Sequence, residues 1–308
     1  MAILTGQAVT LDELLPLLSD YRILRTIEPG NDWQFGGATA VVAYREEVNG
    51  LVTIDTVDRP WPDGMGDQSE PALLGGWSMG FFGPFTYPGG LRRAMEQAWG
   101  WPEAKTLVPQ HRAFLRIRTT YVLGAQPGAL CRPSDCDPRH ELDFVMGLAQ
   151  RLLKHPAALC YFNPNGEVVA SANKLGDFVD FYRKRELPPL DVLSNVRLFN
   201  LTPDWLLMDS VGCWQLDMPD HEAAFPAERF EPKDVALFLR NAALYLLTSS
   251  REIKDNDTMD GPGDVRWQAV RFSDSITDPP REVLCWLPPG SESIPEQVTN
   301  RKPAAATS

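Results

Sequence analysis

Two long stretches of helical periodicity, each opened by an acid-proline pair, stand in a chain that otherwise mixes shorter helical runs with strand-like ones. Asp137-Pro138 precedes a face of Leu142, Val145, Leu148, Ala149, Leu152 and Leu153, and Glu231-Pro232 opens residues 233–247 with Val235, Phe238, Leu239, Ala242 and Leu246 on one side. Proline suits the first turn of a helix, whose leading N–H groups have no partner within it. Residues 111–123 instead alternate, with Leu115, Ile117, Thr119 and Tyr121 against Arg116, Arg118 and Thr120, as in a half-exposed strand. Long helices are too few and too irregularly placed for regular βα alternation. The pattern predicts an α+β fold of antiparallel sheets with helices packed on one face, in two lobes.

Local signals fill in the order. Thr10 and Glu13 form a capping box before Leu11, Leu14, Leu15 and Leu18, and strand-like runs follow at 21–27, 38–45 and 51–57, the last two joined by a hairpin at Asn49-Gly50. From Pro60 to Leu91 there is no Lys or Arg, and Trp61, Trp77, Phe81, Phe82 and Phe85 call for burial, so this stretch is read as an ordered, packed loop. A short helix is expected around Leu91, Met95 and Ala98. The glycine- and proline-containing stretch at 124–137 is the expected boundary, giving lobes at 1–125 and 126–288. Asn163-Pro164-Asn165-Gly166 reads as a hairpin turn before a helix at 175–185, strands are expected at 196–201, 206–216, 265–272 and 282–287, and residues 289–308, with little to bury, are expected to be a disordered tail.

Charge excludes more than it identifies. The 308 residues carry a net charge of −12 and a sequence pI near 4.8, which opposes binding to nucleic acid and favours a basic partner. No run approaches the length of a membrane span and the first residues lack a basic n-region, so a cytoplasmic location is expected. Five scattered cysteines (Cys131, Cys136, Cys160, Cys213, Cys285) read as reduced thiols, and no histidine or cysteine spacing suits a metal. The acidic turn from Asp255 to Gly261 has the wrong register for a calcium loop, and no glycine-rich phosphate cradle occurs, so no cofactor is expected.

One catalytic pattern is present. Gly76-Trp77-Ser78-Met79-Gly80 matches the nucleophile elbow of serine hydrolases, but Phe81-Phe82-Gly83-Pro84 cannot start the helix that should follow. The alternatives are a hydrolase using Ser78 and a glycine-rich turn that packs Trp77 and Met79. Charge offers a different site. Residues 1–80 hold twelve acids against four bases, and residues 198–228 hold no Lys or Arg. In the second stretch Asp204, Asp209, Asp217, Asp220 and Glu222 gather beside Trp205 and Trp214, a combination read as a partner-binding face with carboxylates steering a cationic partner and tryptophans as anchors.

Several phrases together resemble the bacterial family known as domain of unknown function 4261. They are Arg240-Asn241-Ala242-Ala243-Leu244-Tyr245-Leu246-Leu247, Ile253-Lys254-Asp255-Asn256-Asp257-Thr258-Met259-Asp260-Gly261 and Pro279-Pro280-Arg281-Glu282-Val283-Leu284, within a family-like region of about 196–288. Asp58-Arg59-Pro60-Trp61-Pro62-Asp63 and the phrase from Trp77 to Pro84 are similar to motifs of longer relatives. The family has no established catalytic residues. The resemblance implies an immunity protein that neutralises a cognate effector, notably one of a type VI secretion system, by stoichiometric binding. A cytoplasm-acting, basic-faced toxin such as a nuclease suits an acidic inhibitor, with NAD-degrading and ADP-ribosylating toxins left open.

Overall fold

The computed structural model describes residues 1–29, 35–249, 251–290 and 294–304. The chain divides into two compact units, Met1–Val192 and Leu193–Ser308. Both are α+β.

The first unit is built on β1 (Ala2–Thr5), α1 (Leu11–Leu14), β2 (Ile23–Ile27), β3 (Thr39–Arg45), β4 (Gly50–Val57), α2 (Pro71–Ser78), α3 (Gly90–Glu96), α4 (Ala104–Leu107), β5 (Ala113–Thr120), α5 (Pro138–Leu152), β6 (Ala158–Asn163), β7 (Val168–Ala170) and α6 (Ala172–Arg183). The short helix α7 (Leu190–Leu193) spans the division. Its sheet runs β2-β3-β4-β5-β1-β6-β7, every pair antiparallel. The capping box forms, Thr10 N donating to Glu13 Oε2 at 2.8 Å, and Leu11, Leu14 and Leu18 are buried as the periodicity requires. Pro16 has no N–H to continue an α-helix, so the second half tightens into a 3₁₀ turn at Leu15–Leu18. Asn49 supplies the left-handed residue of the β3–β4 hairpin at φ 57°.

The long helix α5 packs on β5 and β1, and α6 on β6 and β7. The opposite face is covered by the aromatic-rich stretch. Trp61, Met65, Leu73, Phe82, Leu91 and Trp101 close over Leu4, Val57, Phe114 and Phe162, with Trp61 edge-on to Phe114 and Phe162 at centroid distances of 5.2 Å each. Most of that stretch is therefore packed as expected. Phe85 and Met79 are not: they are 52% and 68% exposed.

The expected lobe boundary at 125–137 lies inside this unit. Leu4 pairs with Phe114 on one side and Cys160 on the other, so strands from both sides of 125–137 share one sheet. A glycine- and proline-containing connection looks alike in sequence whether it joins two lobes or two strands of one sheet.

The second unit contains β8 (Asn195–Asn200), β9 (Trp205–Val211), β10 (Asp220–Pro226), α8 (Pro232–Thr248), β11 (Thr258–Gly261), β12 (Val265–Phe272), β13 (Val283–Leu287) and α9 (Glu296–Thr299). Its sheet runs β11-β12-β13-β10-β9-β8, antiparallel except for β10 beside β13. A parallel pair needs a crossover, and α8 provides it, burying Val235, Phe238, Leu239 and Ala242 against Trp267 and Trp286.

The tail expectation is corrected for residues 294–304. Val298 is fully buried and Ile294 packs beside it on a second cluster with Phe272, Val283 and Cys285. Residues 291–293 and 305–308 of that expected tail lie outside the described residues. A few apolar side chains suffice to hold a short segment when a sheet face offers a surface for them.

Candidate functional site

The seven residues expected to form a partner-binding face divide into two groups. Asp209, Asp220, Glu222 and Trp205 are between 0% and 6% exposed, whereas Asp204 and Asp217 are exposed and Trp214 is half-buried. The carboxylates of the first group lie in the core, so the seven residues do not form one surface, and Asp204 and Asp217 are the acids among them that face solvent. What hides the others is their place on β9 and β10, two interior strands within what reads as an acidic stretch.

Register explains how charges survive there. Arg197 on β8 lies opposite Asp209 on β9, which lies opposite Glu222 on β10, which lies opposite Cys285 on β13. Arg197 donates through Nε and Nη2 to the two oxygens of Asp209 at 2.9 and 2.6 Å. Arg281 adds a bond from Nη2 to Asp209 Oδ2 at 2.7 Å, and Thr277 donates to the same oxygen. Burial pushes the Asp209 carboxyl up, but Arg197 and Arg281 outweigh it and hold it below the usual carboxylate range.

Asp220 accepts from Ser210 Oγ and Cys213 N, each at 2.9 Å, and from Gly212 N at 3.1 Å, while Arg281 Nε stands 3.3 Å from it. It thus pins the turn after β9. Glu222 accepts from Ile276 N at 2.9 Å and Arg301 Nη1 at 2.6 Å, yet burial outweighs Arg301 and raises its carboxyl. Three arginines thus face three carboxylates inside the unit. Such a network specifies strand register, because a slip of one residue would leave charges buried without partners.

On the opposite face of β10, His221 is fully buried and stacked with Trp286 at 12°. Trp286 Nε1 donates to His221 Nδ1 at 3.1 Å, so the proton of the neutral ring sits on Nε2, which has no hydrogen-bond partner. Desolvation lowers its pKa to about 4. The neighbouring thiols Cys213 and Cys285 are pushed up by burial, Cys285 to about 12, which keeps both as inert thiols near neutral pH.

The first unit repeats the cross-strand theme once. Asp55 lies opposite Arg116, accepts from its Nε at 2.8 Å, and also accepts from Arg118 Nη2 and Thr39 Oγ1 at 2.8 Å each. Burial lowers Arg116 to about 10 despite that partner. His111 is structural as well: Nδ1 donates to Val108 O at 2.6 Å and Nε2 accepts from Trp61 N at 3.0 Å.

Ser78 does not stand on an elbow. Gly76-Trp77-Ser78-Met79-Gly80 runs off the end of α2 instead of linking a strand to a helix, and Ser78 Oγ donates to Leu74 O at 2.9 Å within that helix. The acidic turn of residues 255–261 likewise holds backbone: Asp257 Oδ2 accepts from Lys254 N at 2.8 Å and Asp255 Oδ1 from Arg271 N at 2.6 Å.

The surface feature of this neighbourhood is residues 77–87. Trp77 Nε1 donates across the loop to Thr86 O at 2.7 Å, Thr86 Oγ1 to Phe82 O at 2.7 Å, and Arg116 Nη1 reaches from the sheet to Phe81 O at 3.0 Å. Gly83 stands at φ 120°, and a Cβ there would meet Asn165 Oδ1 and Thr86 Oγ1 at 2.8 Å. A loop tied at so many points is stiff, yet it turns Met79 and Phe85 to solvent without one charged residue in its sequence. The absence of Lys and Arg from residues 60–91 is legible in the sequence. Which apolar side chains face outward is not.

Among the described residues, no helix is long and apolar enough to cross a membrane. Residues 209–287, which span β9 to β13, match the model of a family described as Domain of unknown function (DUF4261). No curated protein and no solved structure matches the chain.

Proposed function

We propose, on the premise that residues 209–287 belong to the DUF4261 family, that this protein acts by stoichiometric binding, neutralising a cognate toxin or effector as an immunity protein does. The observation that carries the reading is the stiff loop at 77–87 with Met79 and Phe85 in water. Phe85, an aromatic with two side-chain torsions on a tied backbone, loses little conformational freedom when a partner covers it, Met79 adapts its flexible thioether to the surface it meets, and both residue types are enriched at interface cores. Asp67 and Glu70, exposed just before the loop, and the net charge of −12 favour a partner whose apolar recess is edged by basic groups. The partner in this reading is a cytoplasm-acting toxin delivered by type VI secretion, such as a nuclease, whose basic face suits an acidic inhibitor.

The test is calorimetric titration of the purified chain against the product of the adjoining reading frame. A one-to-one complex is expected. Replacing Met79 and Phe85 together by serine should weaken it by at least about 2 kcal/mol, roughly thirtyfold, with the fold unchanged. Ser78→Ala should bind and protect like the wild type. A serine double variant of full affinity removes the loop from the interface, and absence of any complex removes the binding reading itself.

A further inference from the structure

Residues 294–304 are held on the second unit as a ligand is held. Their main chain adds to β12: Ser273 N donates to Lys302 O at 3.2 Å and Ala304 N to Arg271 O at 3.1 Å, around an antiparallel bridge between Phe272 and Pro303. β11 and the turn before it pair with Val265 to Ala269 of that strand, and Asp255 takes the Arg271 N–H, so the edge left for an added segment is Arg271 O and Ser273 N. Pairing with an open sheet edge is a general mode of recognising extended peptides.

Beside the edge lies a seat for one side chain. Arg301 Nη1 donates to the buried Glu222 Oε2 at 2.6 Å and to Asp274 O at 3.1 Å, and its guanidinium lies 3.9 Å from the centre of the Phe272 ring. A carboxylate, a carbonyl and an aromatic face together recognise the charge, the donors and the flat surface of a guanidinium. Lysine offers no such plane or fork.

Two observations separate the seat from its occupant. Glu222, Phe272 and Asp274 all lie within the family-matched stretch 209–287, whereas Arg301 lies beyond it. Arg301 Nη2 is also buried with no hydrogen-bond partner, so the guanidinium is held through Nε, Nη1 and the Phe272 ring alone, which leaves the segment separable from the sheet beneath it. The geometry points to residues 294–304 being an intramolecular ligand in a socket that also accepts an extended, arginine-bearing segment of a partner protein. This socket is independent of the loop at 77–87, and either can fail while the other stands.

Hydrogen exchange read by mass spectrometry on the intact chain tests it. Residues 294–304 should exchange at least about a hundredfold faster than β10 and β13, since they open without the sheet. A synthetic peptide with the sequence of residues 294–304, in millimolar excess, should raise their exchange about tenfold further, and the same peptide carrying R301A should not. Exchange of 294–304 only together with β10 and β13 would make the segment an inseparable part of the fold and overturn the inference. Equal competition by the R301A peptide would overturn the arginine seat. In the full chain, Glu222→Gln should abolish the peptide effect. Should that variant not fold, Arg301→Lys provides the second measure: faster exchange confined to 294–304 supports the seat, and unchanged exchange overturns it.

Discussion

Residues 77–87 and strand β10 each reverse the ordinary placement of side chains, in opposite senses. The loop holds Met79 and Phe85 in water, and the strand holds Asp220 and Glu222 in the core. Each inversion has a cost, and the way it is offset tells what the region is for. Around β10 every carboxylate is matched inside the unit by Arg197, Arg281 or Arg301. That inversion is balanced within the unit, with Glu222 met by Arg301 of the segment 294–304. In the loop Met79 and Phe85 keep 68% and 52% of their surface in water, while hydrogen bonds to Thr86, Phe82 and Phe81 hold the backbone around them. A self-contained network is architecture, and a rigid apolar exposure is what the proposed binding role would use.

The largest effect expected from breaking the comparison is on the β10 side. Arg197→Ala leaves Asp209 short of its bidentate partner in a fully buried position and should cost about 3–5 kcal/mol in urea unfolding. Replacing Arg197 by Met and Asp209 by Leu together should recover part of that loss, since Arg281 and Thr277 then lose their bonds to Asp209. A double variant as unstable as the single one would mean that the pair contributes more than mutual compensation.

The next effect is a pH dependence. His221 is neutral in the fold with its pKa lowered to about 4, against about 6.5 when unfolded. Its contribution to stability is therefore complete above pH 6.5 and declines as pH falls towards 4, by about 3 kcal/mol in all. Glu222, raised by burial, works in the opposite direction, so the difference between the wild type and His221→Gln isolates the histidine. Gln keeps an acceptor for Trp286 Nε1. Parallel stability curves for the two proteins between pH 4 and 6.5 would contradict the assignment.

On the loop side, Gly83→Ala should cost about 1–3 kcal/mol, because the residue combines φ 120° with a Cβ that meets two polar atoms at 2.8 Å. Its thermal midpoint sharpens the claim that the loop is stiff. Wild-type stability in this variant would show that the loop yields easily. The smallest effect is expected for Met79→Ser and Phe85→Ser, which should each leave unfolding free energy within about 0.5 kcal/mol of the wild type. A larger loss would show that these side chains serve the fold, and the contrast with β10 would disappear.

What the sequence determined by itself is local. The capping box at Thr10, the acid-proline starts of α5 and α8, the alternation of β5 and the turn at Asn49 all act within a few residues, so propensity and periodicity suffice to read them. The α+β class follows from their order. The family resemblance, too, was legible in short phrases between Arg240 and Leu284. Only the tertiary structure decided the fate of the acidic stretch. Asp209 and Glu222 are neutralised by residues 12 and 79 positions away in the chain, so no local window distinguishes a solvated acidic loop from a central strand with buried ion pairs. The same holds for the unit boundary, for the seating of Arg301 and for the outward turn of Met79 and Phe85. Each depends on which distant segment covers a given face, and burial is a property of that pairing.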